Sequence, residues 1–523
     1  MKTTKITFCL VSVLIITSSI CVITSRSSSK FPKFNSNQIL KEGDVLIEKG
    51  IHKNREHKKY PKKIKTDYIS LAVKENRNNP ASRVITIPVK RLHSLSDTPK
   101  APIFLLDGGP GNSNLSNNLV KNMLWLLDNH DIVMVGYRGV DGSVTLDSKA
   151  FEEALMVDTN AFTESHFEKL GMVWKNELIR FKNEGIDIDG YNVIEVIDDI
   201  ELVRNILGYN KINLFGFSYG TRLAYLSGLR YPESIHRSII GGISPPGHFV
   251  WNPEITDAIL KKYGDLWKEN SLNLKRSPDI IKTIQSVFLA LPEKWKKIDL
   301  DPGKIRVMMF NIMYKTSGVG KIFDAFVAAE NGDYSGLALL VMMYDLLPEM
   351  ENIVWGDLFA KALSSDYLSG TDYINGMNSK NNLLGAPMSK LFSLVSFSDW
   401  KIHMIPEKYR KLDTSYINTL MIAGNFDIAT PLENTQKMIK YLPNGKLAIF
   451  SDYAHHDYSS LLTNTNSITM LKEFYLTGEV LSEDIIHTPA KIGEPKKSPQ
   501  KMGKKFYRLK RLGLLKTIVK LFM

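Results

Sequence analysis

Apolar strands alternating with helical patterns make this an α/β chain: a mostly parallel sheet covered by helices, interrupted by an inserted, mainly helical domain. Three observations predict it. Residues 102–106, 131–135, 211–215, 418–423 and 446–450 are short, mainly apolar runs of strand length, as strands buried on both faces must be. Helical spacing separates them, as at Ile197, Ile200 and Val203, with Gly208 where a C-cap is wanted. Between residues 251 and 410 that rhythm breaks, and Met, Leu, Lys and aromatic residues recur at helical spacing instead.

The chain has 523 residues, 43% hydrophobic and 23% charged, enough for a large core and a second domain. Its formal charge of +12 does not describe a nucleic-acid-binding body, because the basicity is concentrated in two flanks. Residues 491–523 carry eleven Lys/Arg against one Glu, and residues 51–66 carry seven against one. Both cysteines, Cys9 and Cys21, lie in the N-terminal apolar stretch, so the body has neither a disulfide nor a thiolate metal site.

Taken in order, residues 1–25 pair a short basic start with a long apolar middle and small residues near its end, the pattern of a secretory signal. Left uncut, the stretch is about long enough to act as a membrane anchor. Either way the body is expected to be exported, periplasmic or secreted. Residues 26–66 are Ser-, Lys- and Asn-rich and read as a basic linker or loosely held arm. The first part of the core is assigned to 67–250. There, residues 68–73 and 83–89 alternate like half-buried antiparallel strands. The strand at 102–106 runs into Asp107-Gly108-Gly109-Pro110-Gly111, with Leu119, Met123 and Leu126 following at helical spacing. The strand at 131–135 runs into Gly136-Tyr137-Arg138-Gly139, and the helix ending near Gly208 delivers the chain to the strand at 211–215. A helix follows until Tyr231-Pro232, then a strand at 238–240 closed by Pro245-Pro246-Gly247.

The insertion, 251–410, is read as a helical cap whose methionines fill its core. The second part of the core, 411–487, contains strands at 418–423 and 446–450 and helices at 432–441 and 467–477. The basic tail, 488–523, places Leu512, Leu515, Val519 and Phe522 at helical spacing. It reads either as an amphipathic helix for peripheral contact with an anionic membrane or as an unstructured basic tail.

The chemistry centres on Gly216-Phe217-Ser218-Tyr219-Gly220, a G-x-S-x-G turn between a strand and a helix. The two glycines allow a corner tight enough to expose the Ser218 hydroxyl at a helix N-terminus. A serine needs a base to take its proton, and the base needs an acid to hold it in one tautomer. Asp427 and His455 follow in that order, each after a buried strand, which is where such loops place side chains. Ala454, small at a tight approach, favours His455 over His456 as the base. An oxyanion would be met by the backbone N–H groups of Tyr219 and Gly109. The Gly-rich run at 108–111 is not a phosphate loop, since no Lys-Ser/Thr follows it.

Asp107-Gly-Gly-Pro-Gly111, Arg138-Gly139 with Gly142-Ser143, the Ser218 turn, Gly424-x-x-Asp427-x-x-Thr430-Pro431 and the small residue before His455 occur in this order. Together they resemble the α/β-hydrolase serine peptidases of the prolyl iminopeptidase and tripeptidyl aminopeptidase type, over residues 68–474. The resemblance implies an α/β-hydrolase fold with a helical cap and an aminopeptidase acting on peptides with a free N-terminus. It implies no metal and no organic cofactor. It also implies cap carboxylates that hold the substrate's ammonium group. By location in the insertion, Glu349, Glu351 and Asp357 are the candidates, against the alternative of a solvated helix face. Two positions depart from the family: Asp107 stands where His is usual, and Gly136-Tyr137 where Asp-Gln is usual. A carboxylic-ester hydrolase on the same scaffold is the rival in chemistry, and a catalytically silent binding protein is the rival in class.

Overall fold

The structure is a computed structural model describing residues 31–55, 57–116, 120–347, 353–480, 492–493 and 498–522. The expected signal or anchor at 1–25, and Glu349 and Glu351, lie outside the described residues. Among the described residues no helix is long and apolar enough to cross a membrane.

The strands are β1 (Val45–Lys53), β2 (Lys63–Lys74), β3 (Val84–Leu92), β4 (Lys100–Leu106), β5 (His130–Val135), β6 (Ile212–Phe217), β7 (Ile235–Gly241), β8 (Lys294–Trp295), β9 (Ile298–Asp299), β10 (Asn418–Gly424) and β11 (Gly445–Phe450). Nine of them form one sheet in the order β1-β2-β3-β5-β4-β6-β7-β10-β11, and β8 and β9 form a small hairpin apart from it. From β1 through β3 to β5 the pairing is antiparallel. From β5 to β11 it is parallel throughout, so the C-terminal ends of six strands share one edge.

The helices that matter for the site are α1 (Glu164–Asn183), α2 (Val193–Ile206) and α3 (Tyr219–Arg230), then in the insertion α4 (Pro253–Lys268), α5 (Pro302–Ile312), α6 (Thr316–Glu330), α7 (Ser335–Tyr344) and α8 (Trp355–Asp366). They are followed by α9 (Leu432–Met438), α10 (Thr465–Thr477), α11 (Pro499–Arg511) and α12 (Leu515–Phe522). Successive side chains on a strand point to opposite faces, and both faces here are covered. Phe104, Leu106, Val133, Val135 and Leu214 belong to the same cluster as Ile197 and Ile200 of α2 and Leu223 of α3. Ile103, Leu105, Ile132, Met134 and Phe215 belong to the opposite cluster, with Met470, Leu471 and Phe474 of α10.

Three sequence expectations are corrected. Residues 45–53, read as linker, form the edge strand β1, and β2 begins at Lys63 rather than at residue 67. An edge strand carries charge on its solvent side, which protects it from pairing with other chains and also hides its alternation. Of the helix expected around Leu119–Leu126, Val120 and Lys121 are helical and Leu119 lies outside the described residues, while a 3-10 turn at Leu124–Asp128 takes the place of its second half. Of the two readings of the tail, the unstructured one is set aside over 499–511. There α11 buries Met502, Phe506 and Tyr507, with Lys504 ion-paired to Asp333 at the start of α7 and Lys510 to Asp345 just past its end. The basic charge that suggested an anionic surface is thus partly satisfied by the cap's own acids.

In the cap, Met308, Met309, Met313, Met342 and Met343 are buried, a use that suits their flexible thioether side chains. Core and cap are joined by a fully buried pair. Arg222 of α3 forms two bonds with Asp366 at the end of α8, at 3.0 and 2.9 Å. Asp366 also accepts the N–H groups of Gly247 and Phe249, where the chain leaves the core for the cap.

Gly503 places α11 so close to α7 that a Cβ there would lie 1.8 Å from the Ser335 carbonyl oxygen. Gly503→Leu is therefore expected to lift the tail helix at a cost of about 1–3 kcal/mol, as overpacking does. A lowered melting temperature and new protease cleavage after residue 498 would register it; an unchanged melt and digest would mean that the tail does not latch the cap.

Candidate active site

β6 ends and α3 begins at Ser218, whose backbone sits at φ 53, ψ −119. For a residue with a side chain that conformation costs on the order of 1–3 kcal/mol and persists only where surrounding contacts impose it. Here the Ser218 N–H donates to the Gly241 carbonyl at 3.0 Å, while its own carbonyl accepts from the Thr221 N–H at 2.9 Å and the Thr221 hydroxyl at 2.6 Å. The flanking glycines are obligatory for steric reasons. A Cβ on Gly220 would fall 1.9 Å from the Leu106 carbonyl oxygen, and one on Gly216 would fall 2.6 Å from that of Gly220.

Asp427 follows β10 and His455 follows β11, so two adjacent parallel strands deliver acid and base to the same edge. His455 Nδ1 lies 2.9 Å from Asp427 Oδ2 and 3.1 Å from Oδ1, with the residues 3% and 0% exposed respectively. Thr430 completes the acid's shell: its N–H donates to Oδ1 at 2.8 Å and its hydroxyl to Oδ2 at 2.6 Å. Burial works against charge on Asp427, but the His455 ring and the Thr430 donors outweigh it and hold the carboxyl below its ordinary range. With Nδ1 engaged, Nε2 is the nitrogen left for a second partner. His456 is not on the acid; its N–H donates to the Tyr314 carbonyl at 2.7 Å.

Ser218, Tyr219, Gly109, His455 and His456 all line one cavity of about 1040 Å³. Among the described residues no hydrogen bond joins Ser218 to His455; the ring of Phe217, next to the serine, lies 4.9 Å from that of His455. The cap supplies the facing wall, including Asn311, Tyr314, Tyr344 and Trp355. A Cβ on Gly108 would be 3.2 Å from the Ser218 Cβ, so the 107–111 loop lies directly against the serine.

That loop is braced by Asn114 and Asp141, which the sequence reading did not single out. Asn114, fully buried, donates to the carbonyls of Leu105 (2.9 Å) and Val135 (2.8 Å) and accepts the Asp107 N–H at 2.8 Å. Asp141 accepts the N–H groups of Tyr137 (2.9 Å) and Asn114 (3.0 Å) and the Ser113 hydroxyl. Arg138, fully buried, clasps Asp199 through two 2.7 Å bonds and donates to the carbonyls of Glu75 and Gly190, so the Arg138-Gly139 motif is scaffold behind the site. For Thr430 a signal was available: an Asp whose side chain can accept from the backbone three residues on is a recurrent turn device. Asn114 and Asp141 offered none, because Asn114 reaches Val135 on the next strand and Asp141 reaches back to Ser113 and Asn114 in a loop far away in the chain.

Asp357 is corrected as an ammonium-binding candidate. It is 0% exposed, ion-paired with Lys361 and accepting the Gly111 N–H at 3.0 Å. A carboxylate already neutralised and buried has neither access nor uncompensated charge for a substrate amine. Among the described residues no group of three or more His, Cys, Asp or Glu could hold a metal ion.

Residues 101–298 match the family described as the alpha/beta hydrolase fold, and residues 390–485 match the one described as TAP-like protein. The chain has the α/β-hydrolase fold. A protein of Escherichia coli (strain K12) named as hydrolase YuaR is 29% identical over 155 residues, 28% of this α/β-hydrolase and 28% of that protein. The tripeptidyl aminopeptidase of Streptomyces coelicolor (strain ATCC BAA-471 / A3(2) / M145) is 24% identical over 205 residues, 36% of this chain and 37% of that one. The chain therefore spans well under half the length of these curated relatives. Among solved structures, MGS-M2, an alpha/beta hydrolase enzyme from a Medee basin deep-sea metagenome library, aligns with a TM-score of 0.35 and 12% identity over 76% of this chain and 97% of that one.

Asp107, the departure beside Ser218, has a carboxyl pushed up to about 6 by burial, with the Gly108 N–H pulling the other way. The folded protein thus keeps a proton that the unfolded chain releases near pH 4, and stability attached to this group falls as pH rises from about 4 to about 6. Asp107→Asn cannot ionise. Above pH 6 it is expected to be more stable than the wild type by about 1–2 kcal/mol, discounted for the carboxyl's partial opening to the cavity. Thermal melts between pH 4 and pH 8 check this; a difference independent of pH would refute it.

Proposed function

We propose that this α/β-hydrolase is an exported serine aminopeptidase that cleaves peptide bonds near a free N-terminus through an acyl-enzyme on Ser218. The observation that carries the reading is the Asp427–His455 pair at 2.9 Å, set on the cavity into which the strained Ser218 turn opens. The similarity to a tripeptidyl aminopeptidase supports the peptidase side. So does the cavity of about 1040 Å³, at the upper end of the roughly 300–1,000 Å³ usual for ligand pockets and roomy enough for a peptide segment. The N-terminal sequence supports export.

In this reading His455 Nε2 takes the proton of the Ser218 hydroxyl as its oxygen bonds to the scissile carbonyl carbon. The negative charge moves to the carbonyl oxygen, which meets the N–H groups of Tyr219 and Gly109. Asp427 stays ionised, keeps the proton on Nδ1 and stabilises the imidazolium without itself accepting a proton. His455 then gives its proton to the leaving amine, and the peptide bond breaks. Water, deprotonated by His455, attacks the ester that remains and returns the serine. Thr430 keeps the Asp427 carboxylate in one orientation, so the imidazole enters each turnover already aligned.

Amino-acyl and tripeptidyl anilides with a free amine, the same anilides N-acylated, and short-chain nitrophenyl esters form the test, with wild type, Ser218→Ala and Asp427→Asn. Free-amine anilides are expected to be the preferred substrates. Ser218→Ala should abolish turnover, and Asp427→Asn should lower kcat by about 10³–10⁴-fold with little change in KM. Turnover of esters alone would move the assignment to a carboxylic-ester hydrolase, and turnover of blocked anilides would move it to an endopeptidase.

A further inference from the structure

The cavity of Ser218 and His455 has a wall that belongs neither to the core sheet nor to the cap. Phe31, Pro32, Lys33, Phe34, Gln38 and Leu40 line it, together with Tyr68 and Ser70 of β2. This arm lies outside both family-matching regions, 101–298 and 390–485. It is fixed at two points. At its outer end the Ser70 hydroxyl donates to the Pro32 carbonyl, and the Phe31 ring meets the Tyr68 ring edge-on with centroids 5.5 Å apart. At its foot the Gly43 N–H donates to the Ala72 carbonyl and the Ala72 N–H to the Asp44 carbonyl, both at 2.9 Å, while Glu42 pairs with Arg77 at 2.8 Å. Between these points the arm holds itself by little more than one turn, Gln38 N–H to the Asn35 carbonyl at 3.0 Å, and Ile39 is 91% exposed.

We infer that residues 31–40 are a specificity wall: they close the side of the cavity that the cap leaves open and limit the length and bulk of the substrate segment that reaches Ser218. A wall pinned at its ends and exposed along its middle contributes little to the core, so it can be altered without unfolding the sheet behind it. Phe31, Phe34 and Leu40 give it bulk, with the polar Lys33, Asn35, Ser36 and Gln38 among them, so it limits substrates by the space it occupies. This inference rests on Ser218 being a hydrolytic nucleophile and does not depend on the bond cleaved being a peptide.

The experiment therefore uses two substrate series on the full chain: nitrophenyl esters from acetyl to bulky acyl groups, and free-amine peptidyl anilides of one to five residues. Phe31→Gly with Phe34→Gly removes the wall's aromatic bulk, and Ser70→Ala, a milder change, releases its outer end. Both variants are expected to keep acetate turnover within about two-fold of wild type and to raise kcat/KM on the bulkiest esters and longest anilides by tenfold or more relative to acetate. If the aminopeptidase reading alone is wrong, the anilides stay silent while the ester series still shows the shift. Unchanged relative rates across the ester series, in variants that melt like the wild type, would overturn the inference. So would selective loss of the largest substrates, which would make the arm a binding surface instead of a barrier.

Discussion

The first turn of α3 and the end of β4 come together backbone to backbone at Gly220 and Leu106, with no room for a single added carbon. That contact forces the chain to turn within one residue of β6, and the residue that absorbs the turn is Ser218, at a positive φ its side chain would otherwise avoid. Everything at the site depends on this. The turn lifts the hydroxyl clear of the sheet, and it also directs the N-terminal end of α3 toward the same cavity. The parallel run from β5 to β11 then brings the 107–111 loop, Asp427 and His455 to that edge, because parallel strands place their C-terminal loops together.

Around this edge most buried charges and donors find partners, the condition under which such groups are tolerated inside a protein, the Tyr219 hydroxyl and the Asn112 amide oxygen being exceptions. Asn114 ties β4, β5 and the 107–111 loop into one unit, and Asp141 fixes the loop that begins at Tyr137. Asp427 depends on His455 first and on Thr430 after it: four contacts converge on its two oxygens, which keeps it charged despite complete burial.

The cap is more than a cover. The Arg222–Asp366 pair connects the helix that begins at the nucleophile to the end of α8, and Asp366 also holds the chain where it departs for the cap. A buried ion pair fixes geometry better than it adds stability, since each charge has lost its water and only the correct partner repays it. The tail helix α11 packs on α7 and so supports the cap from outside. Cap, core and N-terminal arm thus enclose one cavity from three stretches of chain far apart in sequence.

Local sequence determined much of this protein. Continuous apolar runs marked β4, β5, β6, β10 and β11, the glycines about Ser218 marked the turn, and the order of Ser218, Asp427 and His455 marked the candidate site, because strand burial and tight turns restrict nearby residue types. Contacts across the chain determined the rest. The strand β1 looked like linker because its pairing is made by backbone groups that every residue carries. Asp357 looked like a free acid of the cap because its burial and its acceptor role toward Gly111 exist only after α8 docks, although its partner Lys361 is four residues on in the same helix. Residues 31–40 looked like unstructured arm because their anchors are on β2. A residue's own propensity and spacing are written locally, but which charge it neutralises and which cavity it lines depend on elements that meet only in the folded chain.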